Sequence, residues 1–207
     1  MKLWSAFYDL AVPDLPGCPL TVLDVALREA AIVFCERSMA WRYDHDDIAV
    51  VAGTASYDFV PPAGAVVHTV RYATYNDEEI AVNVGESDIW IQDWRNASGT
   101  PKYLLGGESS LTLVPNPDVD GTLTLKVTLK PSSDATGIDD AIYRDYRQTI
   151  VHGALSRLMI SPKKPYTDTN LATYHHQLFI IEMGGAGIKT ARNHTRAPLR
   201  TTIMRRG

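Results

Sequence analysis

The hydrophobic period of this chain changes twice, and that limits its folds more than anything else in it. Leu23, Ala26, Leu27, Ala30, Phe34 and Met39 recur at helical spacing and draw one apolar stripe. From Asp46 to about Lys130 the pattern becomes short alternating runs cut by turn residues, which is the period of strands. The clearest run is Thr122–Lys130, where Leu123, Leu125, Val127 and Leu129 alternate with Thr and Lys. Helical spacing then returns in Ile142, Tyr146, Ile150, Ala154 and Leu158, and again in Leu171, Tyr174, Leu178 and Ile181. A period of 3.6 that gives way to 2 and comes back predicts helices at 20–41, 138–160 and 168–189 around a strand-rich segment.

Punctuation sharpens these bounds. Pro13, Pro16, Gly17 and Pro19 predict an irregular arm over 1–19. Thr21 followed by Asp24 has the form of a capping box. Further strands are expected at Ile48–Val51, Ser56–Val60, Val66–Ala73, Ile80–Val84, Ser87–Trp90, Lys102–Leu105 and Ser110–Val114. Ser161-Pro162 stops the second long helix, and Thr167 or Thr169 can cap the next. The short link between them favours an antiparallel helix hairpin. The expected fold class is therefore α+β: a small helical bundle (20–45 and 131–189), an inserted, mainly antiparallel β module (46–130) and an extended basic C-terminal tail (190–207).

The formal charge of −4 is unevenly spread. Residues 1–182 carry 14 Lys+Arg against all 24 acids, whereas residues 183–207 carry 6 bases and no acid. Within 46–130 there are 12 acids and 5 bases. Such a tail reads either as solvated chain or as an arm that docks on an acidic surface or nucleic acid. Two cysteines at Cys18 and Cys35 form no disulfide framework and no metal spacing, so a reducing, intracellular setting is expected. No run of apolar residues is long enough for a membrane span, and MKLWSAFYDL lacks the form of a signal peptide.

Chemistry is sparse. His175-His176 lie mid-helix with rings about 100° apart, unable to chelate one metal together, and His152 is distant in sequence. Asp44-His45-Asp46-Asp47 lacks the glycine and final glutamate of a calcium loop and reads as a polar helix-to-strand junction. Gly184-Gly185-Ala186-Gly187 follows a helix instead of preceding one, so packing or fraying explains it better than a phosphate loop. Cys35 falls inside the first long helix as buried packing. No nucleophile, base and orienter assemble, so no enzyme, no cofactor and no metal are expected. Two minor readings remain. One is a carbohydrate or receptor binder with Trp90, Trp94 and Tyr103 as platform; the other is a small hydrolase built on His45 and its acids.

The layout resembles the head-to-tail adaptor (connector) proteins of tailed bacteriophages, particularly the short-tailed kind. Three stretches carry the resemblance over about residues 20–190. One is the leading helix followed by Tyr57-Asp58-Phe59-Val60-Pro61. The second is Gly99-Thr100-Pro101-Lys102-Tyr103 followed by Leu111-Thr112-Leu113-Val114-Pro115-Asn116-Pro117. The third is the helix pair with Asp139-Asp140 at its start, Gly153-Ala154 in its middle and Pro162 after it. The resemblance implies a virion protein of the head–tail junction, made in the host cytoplasm. It would form a ring, usually of twelve, under the portal, extend the DNA channel and seat a tail tube or nozzle protein. DNA would pass without sequence-specific contact, and no membrane would be involved.

On this reading Val22, Val25, Ile32 and Val33, which lie off the main stripe, supply the ring interface. Lys189, Arg192, Arg196, Arg200, Ile203, Met204, Arg205 and Arg206 supply portal docking. A channel-facing acidic module would repel the DNA backbone.

Overall fold

The computed structural model describes residues 1–82, 84–91, 93–107 and 109–192. It is an α+β fold. Its strands are β1 Lys2–Leu3, β2 Arg42–Val50, β3 Ser56–Asp58, β4 Ala65–Tyr75, β5 Glu78–Glu79, β6 Tyr103–Gly106, β7 Ser110–Val114, β8 Gly121–Pro131 and β9 Gly137–Ile138. Its helices are α1 Tyr8–Ala11, α2 Leu20–Ser38, α3 Asp140–Met159 and α4 Thr169–Ala191. The chain divides into two compact units. One holds Met1–Ala6 and Trp41–Asp145; the other holds Phe7–Ala40 and Tyr146 onward, so the division falls inside α3.

The β unit is built on β8. Leu123, Leu125, Val127 and Leu129 are at most 1% exposed, as their alternation predicts. β8 lies between β2 and β4, and β5 completes an antiparallel sheet of order β2-β8-β4-β5. A second antiparallel sheet has the order β3-β7-β6, and β1 pairs with β9. The resemblance motifs do structural work here. The Tyr57 hydroxyl accepts from the Val51 N–H (2.9 Å) and donates to the Thr54 carbonyl (3.0 Å), closing the turn into β3. Leu111, Leu113 and Val114 are buried in β7.

Several expectations change. Strand begins at Arg42, so Asp44-His45-Asp46-Asp47 lies within β2 and is not a junction. Asp44 faces Lys126 at 3.8 Å and Asp47 accepts from the Thr124 hydroxyl at 2.7 Å, both on the adjacent β8. Acids along an edge strand also discourage pairing with another chain. The expected strand Ser87–Trp90 is instead a 3₁₀ turn over Glu86–Asp88, and Ile80–Val84 contributes one bridge, Ala81 to Tyr103.

The N-terminal segment is not irregular. β1, a 3₁₀ turn over Trp4–Phe7, α1 and a second turn over Val12–Asp14 bury Trp4, Phe7, Ala11 and Leu15. Prolines and glycines mark turns but do not forbid short ordered pieces between them. The two units therefore differ from the expected segments. Residues 1–6, 41–45 and 131–145 go with the strands, and 7–19 go with the helices.

In the helical unit α2 buries the expected Leu23, Ala26, Leu27, Ala30 and Phe34, with Cys35. It ends at Ser38, short of Trp41, because Met39 takes a left-handed conformation as C-cap, leaving its side chain exposed. Thr21 is not its N-cap. The helix starts after Pro19, and Asp24 accepts a hydrogen bond from the Tyr8 hydroxyl at 2.7 Å. Burial, then Asp24, pushes the Tyr8 pKa up to about 12.

The α4 cap is neither Thr167 nor Thr169 but Asp168, whose carboxylate accepts from the Asn170 and Leu171 N–H groups at 3.0 Å. α4 buries Ala172, His175, Phe179, Ala186 and Thr190, whereas the periodic Leu171, Tyr174 and Ile181 stand exposed. α4 also carries the first two residues of the expected tail, Thr190 and Ala191, as helix. The rest of that tail, 193–207, lies outside the described residues.

Candidate functional site

The residues expected to make the ring interface sit on α2, outside its buried stripe. Val22 and Val25 are 42% and 47% exposed, while Ile32 and Val33 are half-buried. At 100° per residue, Val25 and Ile32 fall opposite Leu23, Ala30 and Phe34, whereas Val22 and Val33 lie on the flank, Val33 beside the buried Ala26. Exposed valines on a helix whose other face is already filled are surplus to the internal core.

Of the residues expected at the portal, Lys189 lies in the last turn of α4, its amine 5.7 Å from the centre of the Tyr146 ring. Arg192 is the C-cap of α4. Basic residues here suit the negative end of the helix dipole. Arg196, Arg200, Ile203, Met204, Arg205 and Arg206 lie outside the described residues.

The hydrolase reading fails on geometry. His45 is buried, its Nδ1 lies 2.7 Å from the Asp46 carbonyl oxygen, and its Nε2 accepts from the Val60 N–H at 2.9 Å. A backbone carbonyl can only accept, so Nδ1 carries the proton and both ring nitrogens are occupied. The ring pins β2 to the segment after β3 and has no lone pair left for a substrate. Among the described residues no three His, Cys, Asp or Glu side chains are grouped to hold a metal ion.

The aromatic platform also dissolves. Trp90 is 92% exposed, but the Trp94 ring is covered by the Arg95 guanidinium at 4.2 Å, and Arg95 pairs with Glu86. The glycine run lies within α4. A Cβ on Gly187 would make an ordinary contact at 3.7 Å with the Ser38 backbone, and one on Gly184 or Gly185 would meet nothing within 4 Å, so close packing inside the unit does not explain the run.

One pairing escaped the sequence reading. The hairpin of α3 and α4 brings His152 against His175, with Nδ1 atoms 2.9 Å apart and rings stacked at 5.0 Å. Separation of 23 residues along the chain gave no hint of it. One imidazole donates to the other, which requires at least one to be neutral. Burial first, then His152, lowers the His175 pKa below its ordinary 6.5, against an upward pull from Asp14.

A depressed folded pKa means the unfolded chain binds the proton first as pH falls. The stabilisation from neutral His175 is thus complete above about pH 6.5 and lost as pH drops through the folded value. We expect the melting temperature to fall on acidification from pH 7 to 5, with a shallower fall in His175→Phe. Equal slopes, followed by circular dichroism at 222 nm, would exclude the pair as the source.

A family model described as SU10 adaptor protein matches residues 7–202, which is nearly the whole chain. The search of curated proteins finds no match. The match takes in both compact units and the motifs that shape the β unit and the helix pair. By this match the chain belongs to the SU10 adaptor protein family, as a bacteriophage structural head-to-tail adaptor.

Proposed function

We propose that the protein is the subunit of a closed ring, most simply of twelve copies, at the head–tail junction of the virion. The ring docks on the portal, extends the DNA channel and seats the tail tube or nozzle protein. The helical unit makes the lateral contacts, beginning with Val22, Val25, Ile32 and Val33. The basic segment from Lys189 through Arg192, Arg196, Arg200, Ile203, Met204, Arg205 and Arg206 docks on the portal. DNA passes without sequence-specific contact, and the subunits are made in the host cytoplasm. No described helix is long and apolar enough to cross a membrane.

The family match supports an adaptor role, and one observation carries the docking assignment. All the acids of the chain lie at or before Glu182, so the last 25 residues present cations alone. Such a segment is self-repelling and gains from a carboxylate-bearing surface, where each charge-assisted hydrogen bond contributes about 1.5–3 kcal/mol.

Truncation after Arg192 tests this while leaving the α4 cap in place. The truncated protein should keep its circular dichroism and melting temperature. Its affinity for the cognate portal ring should fall at least about a hundredfold, since loss of two such contacts already exceeds the 2.7 kcal/mol this requires. Unchanged portal binding would refute the docking role of the segment.

A further inference from the structure

We propose that α4 carries the receiving half of the contact between neighbouring subunits, an uncharged seam that takes the Val22–Val25 face of α2 from a second copy of the chain. The proposal rests on the ring reading above and names the surface that the ring reading lacked.

α4 is apolar on two faces. One is spent inside the unit on Ala172, His175, Phe179 and Ala186. The other runs through Leu171, Tyr174, Leu178, Ile181 and Ile188. Of these, Leu171 is 45%, Tyr174 54%, Ile181 69% and Ile188 50% exposed, and Leu178 is half-buried. The steps of three and four make a heptad seam, with Gly185 in the remaining position. Nothing lies within 4 Å of a Cβ built on Gly185, so the seam has a flat, open seat there. At 1.5 Å per residue it is roughly 26 Å long. It exposes on the order of 500 Å² of apolar side chain, the size at which a patch marks an interaction site.

The seam is also bare of charge. Between Thr169 and Ile188 the one charged side chain is Glu182, which is half-buried and accepts a hydrogen bond from the Thr149 hydroxyl at 2.7 Å. A helix face meant for water carries charged residues, and this one carries none.

A seam in steps of three and four keeps register along another helix, so the occupant is helical. The same unit holds a second exposed helix face, the α2 line through Val22 and Val25 toward the half-buried Ile32, with the Glu29 carboxylate beside it turned to Arg157 at 3.7 Å. One contact of seam on α2 line covers both surfaces at once. Pairing of the seam with itself would leave the valines exposed. Two different patches meeting make a heterologous contact, which repeats from subunit to subunit and closes into a ring.

The test uses two full-length variants, Ile181→Glu in the seam and Val25→Glu on α2, with circular dichroism confirming the fold of each. Native mass spectrometry is read for each alone and for an equimolar mixture, with and without the cognate portal. Wild type should assemble, and each variant alone should stay at the 22.9 kDa monomer. Their mixture should form a heterodimer of twice that mass and nothing larger, because one intact seam still meets one intact α2 line. Ile181→Ala, which adds no charge, should weaken assembly about tenfold.

Normal assembly by Ile181→Glu overturns the seam while the ring reading stands. Normal assembly by Val25→Glu alone, or no heterodimer in the mixture, overturns the pairing of seam with α2. A wild type that stays monomeric even with portal overturns the ring reading and this proposal together.

Discussion

Gly153→Leu should unfold the helical unit or cost it about 3 kcal/mol or more, the largest effect expected from any single substitution in that unit. A Cβ placed on Gly153 of α3 would lie 2.9 Å from the Ala30 Cβ of α2 and 2.9 Å from the Phe179 ring of α4. Three helices therefore converge on the one residue without a side chain. The Phe179 ring can shift by rotation, but the Ala30 Cβ moves only with its backbone. Even Gly153→Ala should be destabilising, although alanine in a helix interior gains about 1 kcal/mol over glycine. The sign of the alanine variant thus decides whether packing or propensity rules the position.

Urea denaturation followed at 222 nm measures both variants. Ala30→Gly in the Gly153→Ala background should recover part of the loss, because it removes the atom that cannot move aside. A leucine variant as stable as wild type would mean that the helices do not meet at Gly153. Total stabilities of 5–15 kcal/mol leave little room for a loss of this size.

Gly137→Val should detach the N-terminal strand and cost the β unit about 2–4 kcal/mol. Valine is otherwise favoured in strands, by up to about 1 kcal/mol. At this position its Cβ would overlap the Lys2 backbone carbonyl across the β1–β9 pair. The clash is at Cβ itself, so no rotamer relieves it. With β1 goes Trp4, 3% exposed, whose indole N–H donates to the Ala135 carbonyl at 2.8 Å. Hydrogen exchange should lose protection at residues 2–4 and 136–138 while β8 stays protected. Unchanged exchange at Trp4 would refute the role assigned to Gly137. Local loss without global unfolding is expected because β8 carries its own ladder to β2 and β4.

The candidate surfaces were legible to different degrees. Val22 and Val25 stood out because they break the α2 stripe, and stripe-breaking is visible in one helix alone. The α4 seam was legible as a period but not as a surface. Leu171, Tyr174, Leu178 and Ile181 recur as a core stripe would, yet the smaller Ala172 and Ala186, with His175 and Phe179, face inward. Periodicity within one helix cannot say which of two apolar faces its neighbours will cover; packing of the unit decides that.

Sequence by itself determined the kinds of element and their order, because period, caps and turns act within a few residues. The burial of Leu123, Leu125, Val127 and Leu129 follows from alternation alone, and the end of α3 ahead of Pro162 from proline's inability to continue a helix. Tertiary structure decided what local pattern cannot carry. It set His152 on His175 and ordered the N-terminal segment by burying Trp4 and Phe7. It also brought the Val60 N–H, 15 residues along the chain, to Nε2 of His45. Each of these depends on which distant segment arrives opposite a residue. That is settled by the joint packing of the whole unit, since buried polar groups must find partners and small residues must admit close neighbours.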